Sequence, residues 1–159
     1  MLRISKLTDY GTVVLAHLAA ADARVVSATD VAEATGIALP TVSKLLKSLA
    51  RADLVQSTRG AGGGYQLSRA ACQITAADVI DALEGPVSIT ECSSLDSHCE
   101  HEGVCNVGGA WQRINVAIRQ ALDEVSLQDL LHSDTGHRAP RFSFAGVPVT
   151  IENRPQKKS

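Results

Sequence analysis

SATDVAEATGIALPTVSKLLKSLAR, running from Ser27 to Arg51, is the stretch whose reading decides the fold. Ser27 is a good helix N-cap, and Asp30 three positions on completes a capping-box-like arrangement, so a short helix starts here with Val31 and Ala34 facing inward. Gly36 ends it, because glycine accepts the left-handed backbone of a helix C-terminus. Ile37 bridges to a further helix. Pro40 lies near its first turn, where a missing N–H costs nothing, and Val42, Leu45, Leu46 and Leu49 recur as one apolar face. Two short helices around a glycine-containing turn outline a helix-turn-helix, the second being the recognition helix.

Upstream, residues 6–21 read as a helix with Tyr10, Val13, Val14, His17, Leu18 and Ala21 forming one buried stripe. Downstream, Leu54–Ser57 and Tyr65–Leu67 read as two strands around the glycine-rich tip Thr58–Gly64, and a helix-turn-helix followed by such a hairpin is a winged helix. Thr75 with Asp78 opens a helix over 76–84 that Gly85-Pro86 stops. Residues 87–109 lack periodicity. Ala110, Ile114, Ala117, Ile118, Ala121, Leu122 and Val125 then mark a long amphipathic helix whose small alanines permit close approach of a second copy. Trp111 is expected to anchor that helix in the core, and a short helix follows over Leu127–Leu131.

The expected fold class is therefore mainly α. A winged helix-turn-helix DNA-binding domain spans 1–86, a cysteine segment 87–109, and a dimerisation helix with a short packing helix 110–132. Residues 133–159 form a mostly flexible tail; Arg141–Ile151 alternates weakly, as a strand or a partner motif would, and the end is basic from Arg154.

With 159 residues, the chain has room for one ordinary domain plus an arm. Its 45% apolar content with 3% aromatics fits a soluble globular protein, and it holds no run of about 18 apolar residues that could span a membrane. The first residues carry no apolar stretch and cleavage site of a signal peptide, so the expected location is cytoplasmic. A net charge of −2 conceals a division. Residues 1–67 hold seven Lys/Arg against five Asp/Glu, 68–132 three against ten, and 133–159 five against two. Positive charge in the front part suits a nucleic-acid reader despite the near-neutral whole.

Lys44, Lys47 and Arg51 recur along one face of the recognition helix, where they would neutralise phosphates. Thr41 and Ser43, nearer its start, are short hydrogen-bonding side chains able to reach base edges. Arg59 stands at the hairpin tip beside Gly60 and Gly62, which let the backbone approach a groove closely, and an arginine there suits a narrow minor groove. The glycine run is not a nucleotide loop: it lacks the Lys-Ser/Thr ending and does not join a strand to a helix.

Three of the four cysteines, Cys92, Cys99 and Cys105, fall within fourteen residues; Cys72 stands apart and reads as a small buried residue. Gaps of six and five residues differ from the close pair that opens a zinc finger and suit an iron–sulphur cluster, whose thiolates arrive from several directions. A three-cysteine, one-histidine zinc site using His98 or His101 stays open at this point, as does a set of unrelated cysteines. Glu91, Asp96, Glu100 and Glu102 would raise nearby thiol pKa values, which argues against a cysteine-nucleophile enzyme; no enzymatic role is expected.

The N-terminal run Leu2–Tyr10, the wing Arg59–Tyr65 and the cysteine trio together resemble the iron–sulphur regulator family typified by IscR and NsrR, most closely the regulators of SUF cluster-assembly operons. The resemblance covers about residues 1–132. It implies a homodimeric, DNA-binding repressor, sometimes an activator, gated by a cluster, 2Fe-2S favoured and 4Fe-4S open. Some members place a histidine three residues after the last cysteine; this chain has Gly108 there. Others use an aspartate at the start of the first helix, and Asp9 matches that position, so the resemblance implies Asp9, of this chain or of a partner subunit, as fourth ligand, with His98 or His101, another loop carboxylate or a small molecule as alternatives. A metal-free thiol-redox or nitric-oxide-responsive regulator, and a cluster carrier or scaffold, are the rival functions.

Overall fold

The computed structural model describes residues 4–60, 62–90, 93 and 107–132, together with the backbone of 142–144 and 147–149. Helix α1 runs Lys6–Ala20, α2 Ala28–Thr35 and α3 Leu39–Arg51; strands β1 (Val55–Thr58) and β2 (Gly64–Leu67) form the wing. A single 3-10 turn, Ala71–Gln73, leads to α4 (Ala76–Glu84), and α5 (Gly108–Asp123) and α6 (Leu127–His132) follow. The local chemistry expected for α2 is present: Ser27 and Asp30 form the capping box, and Gly36 closes the helix at φ 69°. Thr75 and Asp78 make the same box at α4.

The core is built where these helices meet. Val14, Leu15 and Leu18 of α1, Val31 of α2 and Val42, Leu45, Leu46 and Leu49 of α3 are buried together with Leu54, Val55, Ile74 and Val79. Leu127 joins them, because the chain after α5 returns to the domain: its N–H donates to the Ile74 carbonyl at 2.7 Å and the Ala76 N–H donates to the Val125 carbonyl at 2.8 Å. The wing is antiparallel, Val55 opposite Leu67 and Thr58 opposite Gly64, and Val26 adds a third short line by exchanging two hydrogen bonds with Tyr65.

Three packing expectations are corrected. The buried stripe of α1 is Thr8, Gly11, Val14, Leu15 and Leu18, whereas Tyr10 and Val13 stay exposed and His17 half-buried. The helix is rotated because it packs on both α3 and α4, and Gly11 marks the closest approach: a Cβ there would stand 2.3 Å from Leu83 Cδ1. In α2 the half-buried partner of Val31 is Ala32, and Ala34 faces solvent. Trp111 is 42% exposed rather than anchored in the core, although α5 packs along α4.

The tail contains a second hairpin. Strands β3 (Phe142–Phe144) and β4 (Val147–Val149) pair with Phe142 opposite Val149 and Phe144 opposite Val147, in the stretch whose alternation suggested a strand.

Candidate nucleic-acid interface and sensor segment

The solvent side of α3 carries one sign of charge. Lys44, Lys47 and Arg51 are all exposed, and α3 contains no carboxylate. Thr41 and Ser43 are half-buried on the flanks of this stripe. Arg59 is exposed at the wing tip.

The wing glycines divide into two kinds. Gly60 adopts φ +116°, a conformation that a side chain strains, and its carbonyl accepts the Gly63 N–H at 2.9 Å to close the turn. A Cβ on Gly63 would lie 2.4 Å from the Thr58 carbonyl oxygen, and one on Gly64 2.5 Å from that of Val26. These two are structural. Gly62, by contrast, has nothing within 4 Å of its Cβ position and leaves the tip bare. At the wing base, Arg69 donates to the Asp53 carbonyl (3.1 Å), the Gln73 carbonyl (3.0 Å) and Asp78 Oδ2 (2.9 Å). Its cation is committed to joining the wing to α4. Cys72, expected to be buried, is exposed on the 3-10 turn, where Ala71 packs against the core instead.

Cys92, Cys99, Cys105, His98 and His101 lie outside the described residues. What is described is how the segment carrying them is held. Asn115 of α5 accepts the Ile89 N–H at 3.2 Å and donates to the carbonyls of Val87 (3.0 Å) and Ser93 (3.4 Å). Ser93 Oγ also accepts from the Thr90 N–H at 3.0 Å. The departing end of the segment is thereby fastened to α5, and its returning end leads directly into α5 at Gly108.

Asp9 is exposed in the first turn of α1. That turn is clamped by Glu84, the last residue of α4, whose Oε1 accepts the Ser5 N–H at 3.1 Å and the Thr8 hydroxyl. The Thr8 hydroxyl holds the Glu84 carboxyl below its ordinary pKa against the opposing effect of burial, with lesser help from Ser5. Between α4 and α5, Arg119 reaches Asp81 at 2.7 Å and Asp123 at 3.5 Å. Sequence reasoning missed Asn115, Glu84 and Arg69. Asn115 had only a weak signal, an amide with Trp111 four residues before it and Ile118 three after it, but with Gln112 and Arg119 on the same side. Glu84 and Arg69 had none, because their partners are distant in sequence or on the backbone.

A three-helix core with a helix-turn-helix, a cationic recognition helix and a glycine-tipped wing defines a winged helix-turn-helix transcription regulator. Residues 4–133 match the Rrf2 family, described as iron-dependent transcriptional regulator, and the chain belongs to that family. Protein rrf2 of Nitratidesulfovibrio vulgaris is 32% identical over 131 residues, 82% of this chain and 87% of that one. A provisionally named HTH-type regulator of Azotobacter vinelandii, ORF2, is 41% identical over 106 residues, 67% of this chain but only 64% of its own length. Among solved structures, CymR, the global cysteine regulator of B. subtilis, superposes with TM-score 0.64 at 34% identity, covering 86% of this chain and all (100%) of its own. IscR of T. potens does so with TM-score 0.62 at 29% identity, covering 84% and 88%. Among the described residues no helix is long and apolar enough to cross a membrane.

Proposed function

We propose that this regulator binds double-stranded DNA as a homodimer, represses iron–sulphur assembly genes of the SUF type, and is gated by an iron–sulphur cluster held on the segment between α4 and α5. The carrying observation is the attachment of that segment. It leaves α4, which packs on both α1 and the recognition helix, and is fastened to α5 by Asn115. A change in its shape would therefore be felt by α3 through α4.

The donor set fits the group chemically. Cys92, Cys99 and Cys105 would supply three thiolates, the usual protein donors to such a cluster. Asp9 is exposed and thus available as an oxygen ligand, from this chain or its partner; His98 and His101 are the alternatives. When bound, the cluster supplies a redox- and ligand-sensitive centre. The chain's own part is mechanical: Glu84 holds the α1 turn carrying Asp9 against the end of α4, and Arg119 with Asp81 ties α4 to α5.

DNA contact falls to Lys44, Lys47, Arg51, Thr41 and Ser43 in the major groove and to Arg59, Gly60 and Gly62 at the wing. The second copy is supported by the exposed apolar side chains of Leu7, Tyr10 and Val13 on α1 and of Trp111 and Ile114 on α5. The likeness to CymR of Staphylococcus aureus, solved also in an oxidised form, supports a second reading in which the segment works through its thiols without metal. Titrating one promoter duplex with cluster-loaded and cluster-free protein tests the gating. Affinities differing by about fivefold or more are expected of a coupling of this kind. Equal affinities reject it.

A further inference from the structure

We infer that Leu39 is a specificity-determining residue of the DNA interface, reading the 5-methyl group of a thymine in the major groove; the inference rests on the DNA-binding function proposed above. Ala38, Leu39 and Pro40 are three consecutive exposed apolar residues at the start of the recognition helix, with Leu39 41% exposed. Leu39 belongs neither to the core nor to the half-buried apolar residues packed on it. A single exposed leucine is ordinary, but an exposed apolar run is a fault in a surface unless something uses it. It stands at the end of the helix that, in helix-turn-helix proteins, meets base edges.

The surroundings indicate the occupant. From Ala34 to Ala52 the chain has three cations and no carboxylate, and Lys44, Lys47 and Arg51 continue from this turn along the solvent side of α3. A partner docking on that face is a polyanion, and the apolar feature a DNA major groove offers is the thymine methyl. Thr41 and Ser43, the hydrogen-bonding candidates of the same turn, are more buried than Leu39, which leaves the leucine as its most prominent large side chain.

The test uses the full-length protein and a duplex selected by it from a random library. Each thymine of a half-site is replaced by deoxyuridine, which removes only the methyl, and affinity is measured for the unmodified protein, Leu39→Ala and Lys47→Ala. At one thymine per half-site the methyl loss is expected to weaken binding about fourfold, and more than tenfold with both half-sites changed, from the transfer free energy of one carbon. Leu39→Ala should abolish that penalty while Lys47→Ala retains it. Uracil penalties identical in the unmodified and Leu39→Ala proteins would overturn the inference, as would a Leu39→Ala loss equal on selected and scrambled duplexes. Failure of the unmodified protein to bind any duplex would instead overturn the DNA-binding reading itself.

Discussion

Replacing Gly64 by alanine is the sharpest test of how the wing is held. Its new Cβ would stand 2.5 Å from the Val26 carbonyl oxygen, 2.7 Å from the carbonyl carbon and 2.9 Å from Val25 Cγ1. The first two are backbone atoms and cannot rotate aside. Relief requires β2 to move off Val26 by several tenths of an ångström or more. That breaks or stretches the two hydrogen bonds there, Val26 N–H to the Tyr65 carbonyl at 2.9 Å and Tyr65 N–H to the Val26 carbonyl at 2.8 Å. At about 1 kcal/mol per bond, with residual crowding, the expected loss is about 2–3 kcal/mol. Out of a typical 5–15 kcal/mol, that lowers Tm by roughly 10 °C. Gly62→Ala is the control, because its Cβ meets nothing within 4 Å; its stability should stay within about 0.5 kcal/mol of the parent. Urea unfolding and DNA affinity are measured on both. Gly64→Ala should lose both, and Gly62→Ala should lose affinity alone through its closeness to the groove. A Gly64→Ala protein as stable as Gly62→Ala would refute the packing argument.

Arg59→Ala should weaken binding most on duplexes with a narrow, A·T-rich minor groove beneath the wing, read by comparing such duplexes with G·C-rich ones; an equal loss on both removes Arg59 from the minor groove. Glu84→Gln should cost no more than about 1 kcal/mol at pH 7, the carboxylate being largely exposed. Because folding lowers the Glu84 pKa, its contribution is present above the ordinary carboxylate range and lost as pH falls through the lowered value. The stability gap to the parent should therefore narrow in urea titrations as pH falls below the ordinary carboxylate range. Asn115→Ala leaves the Ile89 N–H and the Val87 and Ser93 carbonyls without their amide partner; hydrogen exchange at residue 89 should accelerate while that of the α3 core is unchanged.

The DNA-reading half was legible because its cues are local. The Ser27–Asp30 and Thr75–Asp78 boxes, Gly36 and the α3 apolar face all depend on neighbours within four residues, and each is present as read. Errors arose where a face is shared between partners. Of the expected α1 stripe Val14, Leu18 and Ala21 are buried, but Tyr10 and Val13 are exposed and Thr8, Gly11 and Leu15 take their place, because α1 answers to both α3 and α4. Residue type points Trp111 to the core, yet it is 42% exposed. The clamps made by Glu84, Arg69 and Asn115 join residues up to 79 positions apart or end on backbone carbonyls, which no side-chain pattern announces. For the proposed sensor, the cysteine spacing and the family resemblance carry the reading, because the cysteine trio lies outside the described residues.

The central claim, that thiols between α4 and α5 carry an iron–sulphur cluster, is tested most directly by quantifying iron and acid-labile sulphide in anaerobically purified protein beside a Cys92→Ser, Cys99→Ser, Cys105→Ser variant. Iron and sulphide in equal amounts in the parent, absent from the variant, is the predicted result. Parent protein without either, or a variant that retains both, would contradict it.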